Sequence, residues 1–107
     1  MSKKIETLIT NLNISKENYY RNINDILSEI SNLLENNNAY KVYAELFGEN
    51  FDNITKLQIN GNGVGENKRW VLYNYSKDNI NDCIEFSTSD ISKIEIKTSE
   101  IYLYSNF

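Results

Sequence analysis

The stretch ITKLQINGNGVGENKRWVLYNY, Ile54 to Tyr75, sets Gly61, Gly63 and Gly65 at alternate positions between two apolar runs. Glycine-rich loops that follow a strand can cradle phosphate, because small residues let backbone N–H groups approach the oxygens. A Walker-type loop also needs a lysine and a hydroxyl directly after its final glycine, opening a helix. Here Gly65 is followed by Glu66, Asn67, Lys68 and Arg69, and then by another strand-like run. The dinucleotide pattern G-x-G-x-x-G is not matched either, and Glu66 would repel phosphate. The expectation is a hairpin loop whose glycines supply positive φ. The alternative is a slender, mobile finger that enters a partner's cleft.

The carboxylates come next. Glu45, Glu49 and Asp52 lie along the first strand and its turn, while Asp78, Asp82, Glu85 and Asp90 gather around the fourth. General acid–base chemistry wants a pair whose surroundings split their pKa values, and the pattern does not single one out. DNIND lacks the glycine and the distal glutamate of a calcium loop. There is no histidine, which excludes His-based dyads and triads and any zinc site built on His. Cys83 has no base near it in sequence and reads as a small hydrophobe at a strand start. No enzyme, no cofactor and no metal is the expectation.

The tyrosines are the remaining candidates. Along the third strand, Arg69, Val71, Tyr73 and Tyr75 point one way and Trp70 and Leu72 the other; Tyr102 and Tyr104 similarly oppose Ile101 and Leu103. Tyr43 alternates with Val42. If the helix covers the Trp70–Leu72 side, the opposite face shows tyrosines interleaved with Glu45 and Arg69. Tyrosine suits interface cores because it buries a large area and keeps a polar tip. The alternative is that the sheet closes on itself and these rings are core.

The elements that must position these side chains follow from periodicity. Tyr19, Ile23, Ile26, Leu27, Ile30, Leu33 and Leu34 follow the rhythm of one helix face, with Ser15 as N-cap and Asn36 to Asn38 as the end. Ile5, Leu8, Ile9 and Leu12 add a shorter amphipathic piece, so two helices or one kinked helix fit. After Ala39 the period becomes two: YKVYAELF, ITKLQIN, RWVLYNY, CIEFST, KIEIKT and IYLYS are strand-like, with KTSE the tightest hairpin. The expected fold is α+β, an N-terminal helix or helices packed on a five- to six-stranded, mostly antiparallel sheet. It forms a single domain over 1–107, helical over 1–37 and sheet over 39–105.

A chain of 107 residues supports one core. No apolar run approaches the roughly 20 residues that span a bilayer, MSKKIETLIT is too polar for a signal peptide, and a single cysteine fits a reducing cytosol. The net charge is −4, and the 11 Lys and Arg are scattered apart from Lys3-Lys4 and Lys68-Arg69. Direct nucleic-acid binding is therefore disfavoured and a protein with a basic surface favoured. With 18 Asn and 14 Ile, residues of AT-rich codons abound, as in AT-rich bacterial or phage genomes.

NINDILSEISN, YKVYAEL and NITKLQINGNGVGENKRWVLYNYS together resemble the small acidic anti-CRISPR proteins, carried by phages and prophages, that inhibit Cas9. In that family a helix precedes a three-stranded antiparallel sheet, and an acidic hairpin loop occupies the nuclease's site for the target-adjacent DNA motif. The resemblance spans roughly residues 22 to 76. It implies a loop role for Gly65, Glu66 and Asn67, with Glu49 and Asp52 as supporting acids and a Cas effector of the host cytoplasm as partner. The expected binding set is thus Tyr43, Glu45, Glu49, Asp52, Gly65, Glu66, Asn67, Tyr73 and Tyr75. An immunity protein or antitoxin that neutralises a basic toxic enzyme is the second expectation, from the same composition.

Overall fold

The computed structural model describes residues 16–36, 40–52, 54–74 and 82–106. Helix α1 (Lys16–Glu35) is 20 residues long. Its Ile23, Ile26, Leu27, Ile30 and Leu33 are buried together, and Tyr19 and Leu34 pack on the margin. That spacing gives a continuous apolar stripe along one side of the helix. The helix ends where expected, with the Asn36 N–H donating to the Asn32 carbonyl at 3.0 Å. The expected Ser15 cap, the Ile5–Leu12 segment and Asn37–Asn38 lie outside the described residues. No described helix is long and apolar enough to cross a membrane.

Among the described residues seven strands follow: β1 (Lys41–Leu46), β2 (Glu49–Phe51), β3 (Ile54–Ile59), β4 (Arg69–Asn74), β5 (Asp82–Ser87), β6 (Ile91–Lys97) and β7 (Glu100–Ser105). The fold is α+β and mostly antiparallel, but the expected single sheet is two. One sheet has the order β2-β1-β7-β6 and the other β3-β4-β5, and β1 runs parallel to β7. Val42, Ala44, Leu46, Ile94, Ile101 and Leu103 from the first sheet share one core with Leu57, Trp70, Leu72 and Phe86 from the second and with the α1 stripe.

Two local features correct the expected strand boundaries. The run YKVYAELF does not end at Phe47 as a strand, because Phe47 (φ 54°) and Gly48 (φ 80°) form the turn between β1 and β2. Positive φ at both central positions marks a type I′ turn, which normally wants Asn-Gly. Phe47 occupies it because its ring packs against the core. Second, strict alternation fails in β3 and β6. Ile54 and Leu57 are both buried, as are Ile91 and Ile94, three residues apart in each case. A register shift between Ile54 and Lys56, and another between Ile91 and Lys93, absorb the extra residue as bulges.

The chain passes from one sheet to the other through a short 3-10 turn, Thr88–Asp90, between β5 and β6. Asp90 Oδ2 accepts the Ser87 N–H at 2.8 Å and the Ser87 hydroxyl at 3.1 Å, closing a capping box. Thr88 is fully buried. Its Oγ1 accepts the Trp70 indole N–H at 3.0 Å and donates to the Asn24 side-chain oxygen of α1. Its backbone N–H donates to the Lys68 carbonyl at 2.9 Å. The Asn24 amide in turn donates to the Gly65 carbonyl at 3.0 Å. Helix, β4, glycine loop and crossover turn therefore meet at one hydroxyl.

Two stability measurements follow from these contacts. Thr88→Val keeps the shape but leaves the Trp70 N–H and the Asn24 oxygen without a buried partner. Stranding such groups costs about 1–3 kcal/mol, so urea unfolding should show a clearly lower midpoint with an unchanged slope. An unaltered midpoint would mean that the hydroxyl is dispensable. In the β6–β7 turn, Thr98 sits at φ 53°, an unfavourable conformation for a β-branched residue. Thr98→Gly should raise stability by about 1 kcal/mol in the same assay.

Candidate functional site

The outer face of the four-stranded sheet is where chemistry-bearing side chains converge. Burial alternates along β1 and β7, so Val42, Ala44, Ile101 and Leu103 face the core while Tyr43, Glu45, Tyr102 and Tyr104 face outward. The parallel register aligns Tyr43 with Tyr102 and Glu45 with Tyr104. The Tyr43 and Tyr102 rings stack at 5.0 Å with their planes 13° apart, and Tyr104 continues the row 6.5 Å from Tyr102. Glu100 locks the first two: its Oε2 accepts the Tyr43 hydroxyl at 3.2 Å and its Oε1 accepts the Tyr102 hydroxyl at 3.0 Å. From β6, Lys93 lies 5.1 Å over Tyr104 and Lys97 lies 5.2 Å over Tyr102. Lys93 also pairs with Glu95 at 3.2 Å.

The rings are half-buried, and that partial desolvation is the leading reason why all three phenols are held above their ordinary value. The carboxylates add to it. Glu100 accepts from Tyr43 and Tyr102 and disfavours a second negative charge beside it, and Glu95 does the same for Tyr104. Glu95 is held below the usual carboxylate range, first by the hydrogen bond from Lys93 and then by the one from Tyr104. On the β2 side the row of rings opens into a groove of about 280 Å³ bordered by Tyr43, Glu45, Asn50, Asp52, Tyr102 and Tyr104.

Tyr43, Glu45 and Asp52 of the expected binding set meet here. The other members do not. Glu49 is exposed at the start of β2 and pairs with Leu46, so the pleat turns it away from the tyrosines. Gly65, Glu66 and Asn67 form a 3-10 turn in the β3–β4 loop, against α1 rather than beside the four-stranded sheet. Tyr73 is half-buried in the three-stranded sheet, opposite Lys56 and Cys83, and Tyr75 lies outside the described residues. Glu45 and Arg69, expected on one tyrosine-bearing face, belong to different sheets; Arg69 pairs with Glu85 at 2.7 Å. Cys83 is exposed, not the small hydrophobe expected, because it shares the outward phase of Tyr73.

The glycine loop is a hairpin connection, as expected, but it is not a free finger. The Asn60 N–H donates to Arg69 at 2.9 Å, Asn67 to Val64 at 3.1 Å, and Asn24 holds Gly65 from the helix. Gly61 and Gly65 have positive φ (84° and 60°), whereas Gly63 is needed for space. A Cβ there would collide with the Asn67 carbonyl and lie 3.2 Å from the Lys68 Cα.

Glu100, Lys93 and Lys97 were not singled out by type or spacing, although they complete the site. The two-residue KTSE turn does pair Lys97 with Glu100, Glu95 with Tyr102 and Lys93 with Tyr104. The parallel β1–β7 pairing that brings Tyr43 to Tyr102 has no local signal. Among the described residues no group of three His, Cys, Asp or Glu side chains is gathered closely enough to hold a metal. No protein-family model, no curated protein and no solved structure matches this chain.

A phenol held high in the folded state favours folding while it is protonated. That contribution is complete below the free value of 10.0 and fades as pH rises from there toward the folded value. Ultraviolet titration of the phenolates should therefore show a late-ionising group of tyrosines, with stability falling over that alkaline window. Glu100→Gln should bring the ionisation of Tyr43 and Tyr102 to lower pH by removing the neighbouring charge. An unshifted titration curve would show that Glu100 does not control these phenols.

Proposed function

We propose that this chain is a non-enzymatic protein inhibitor that holds a basic protein partner on the outer face of its four-stranded sheet. The observation that carries the reading is the Tyr43–Tyr102–Tyr104 row, with two of its hydroxyls tied to one carboxylate. Interface cores favour aromatic residues, and rings already held in one arrangement lose little further freedom on binding. The charge of −4 draws in a positively charged partner from a distance.

The resemblance to anti-CRISPR proteins supplies the candidate partner, a Cas nuclease complex whose nucleic-acid site the inhibitor blocks. Its acidic surface would be the one around Glu45 and Asp52, with the tyrosines beside it. Gly65, Glu66 and Asn67 stand in the hairpin of the other sheet and would make a secondary contact.

The test is capture of partners from a lysate of a bacterium that carries CRISPR systems, with the protein and its variants tagged. A Cas effector should be recovered at near one-to-one stoichiometry. Tyr43→Ala and Tyr102→Ala should each weaken its binding by roughly 30-fold, the magnitude of a central aromatic anchor, while Glu66→Lys changes it far less. Normal binding by both tyrosine variants with loss in Glu66→Lys would move the interface to the glycine loop. Capture of a toxic enzyme in place of a Cas component would turn the reading to an immunity protein.

A further inference from the structure

The groove beside Tyr43 has a selective chemistry that the tyrosine row alone does not. Along β6 the rings are already used as cation platforms, since Lys93 and Lys97 lie over Tyr104 and Tyr102. At the opposite end, β2 presents Glu49, Asn50 and Phe51, with Asp52 after it, and none of these is basic. Tyr43 borders the groove there with Glu45 and Asp52, both exposed carboxylates without an ion pair among the described residues. Asp52 lies close enough to Tyr43 to influence its ionisation, and Glu45 does the same to Tyr104. The molecule therefore repeats a ring-and-cation arrangement on one side, while on the other, among the described residues, no cation–ring contact or ion pair is formed at Tyr43, Glu45 and Asp52.

Resting on the partner-binding reading above, the geometry points to an arginine side chain of the partner as the occupant of this groove, its guanidinium laid against Tyr43 and hydrogen-bonded to Glu45 and Asp52. Several properties favour arginine over lysine. Its group is planar and stacks on an aromatic ring, it is more weakly hydrated than an ammonium, and its two N–H edges can serve two carboxylates at once. The remaining charges on the face do not oppose it strongly. Lys93 pairs with Glu95, and Lys97 sits over Tyr102 and opposite Glu100 on the β6 side. Lys41 borders the adjoining hollow with Tyr43 and Asp52, where it competes for Asp52 and moderates the affinity. Because the groove is open to water, one arginine alone binds weakly; its weight is in orienting a larger basic surface.

The experiment is an NMR titration of the full chain with three capped tripeptides, Gly-Arg-Gly, Gly-Lys-Gly and the same peptide with citrulline in place of arginine. Citrulline keeps the planar shape and loses the charge. The arginine peptide should bind saturably, shifting signals of Tyr43, Glu45 and Asp52 but not of Trp70. The citrulline peptide should bind at least about tenfold more weakly, and the lysine peptide should fall between them. Glu45→Gln combined with Asp52→Asn should reduce arginine binding by about tenfold while the ring signals of Tyr43 and Tyr102 stay in place, and Tyr43→Phe should retain it. Equal binding of the citrulline or lysine peptide, shifts centred elsewhere, or no saturable binding would each overturn the assignment. If partner capture depends on Tyr43 while the arginine peptide does not bind, the occupant is wrong and the interface stands. If the peptide binds but no partner depends on Tyr43, the groove is right and the inhibitor reading fails.

Discussion

One buried hydroxyl constrains the whole arrangement. Thr88 cannot be placed in the core unless its oxygen and hydrogen are both satisfied, because an unmet polar group there costs more than the packing of its methyl returns. The solution uses Trp70 as donor and Asn24 as acceptor, with the Lys68 carbonyl also within reach at 3.2 Å. A hydroxyl has one hydrogen, so only one acceptor is served at a time, and the closer Asn24 contact takes it. Each partner comes from a different element. The helix cannot slide along the three-stranded sheet, nor the glycine loop lift from the helix, without breaking this node.

The crossover turn that contains Thr88 also decides the outward face. By turning the chain between β5 and β6, it returns the chain to the sheet of β1 and β2 rather than adding a fourth strand to β3-β4-β5. β6 and β7 then join β1 and β2, and the alternation of the last two strands presents lysines, carboxylates and tyrosines together. Core and outward face are thus two sides of one pattern. The same pleat that sends Ile101 and Leu103 inward sends Glu100, Tyr102 and Tyr104 outward.

Much of this was legible in the residues. The stripe from Ile23 to Leu33 marks the helix, and alternation marks six of the seven strands, since both signals arise from contacts close in sequence. What escaped local reading has a physical cause in each instance. β2 is three residues long and polar, and it becomes a strand only because the Phe47–Gly48 turn folds it back on β1. The bulges in β3 and β6 reset the phase, so Ile54 and Ile91 are buried against simple alternation. The division into two sheets is made where the chain leaves β2 for β3 and again at the Ser87–Asp90 capping box, whose residue types are equally common in ordinary turns. For the site, tyrosines and acids were recognised by type, yet which of them would meet depended on a parallel pairing of strands far apart in the chain. The glycine loop drew notice by composition, and its glycines serve backbone geometry and close packing.

That parallel pairing has a consequence for synthesis on the ribosome. α1 and the strands of the three-stranded sheet are all translated before β6 begins, so the helix can already cover β3 and β4 while the remainder is being made. β1 has only the short β2 beside it in its sheet until β7 emerges, and joining β1 to β7 closes a loop across more than half of the sequence. Until then the inner residues of β1 lack one of their neighbours, and Tyr43 has neither Tyr102 nor Glu100 beside it. The row of rings therefore comes into being in one step, when β7 joins β1. A nascent chain that ends before β7 can carry much of the core and still lack the ordered face of rings, lysines and carboxylates.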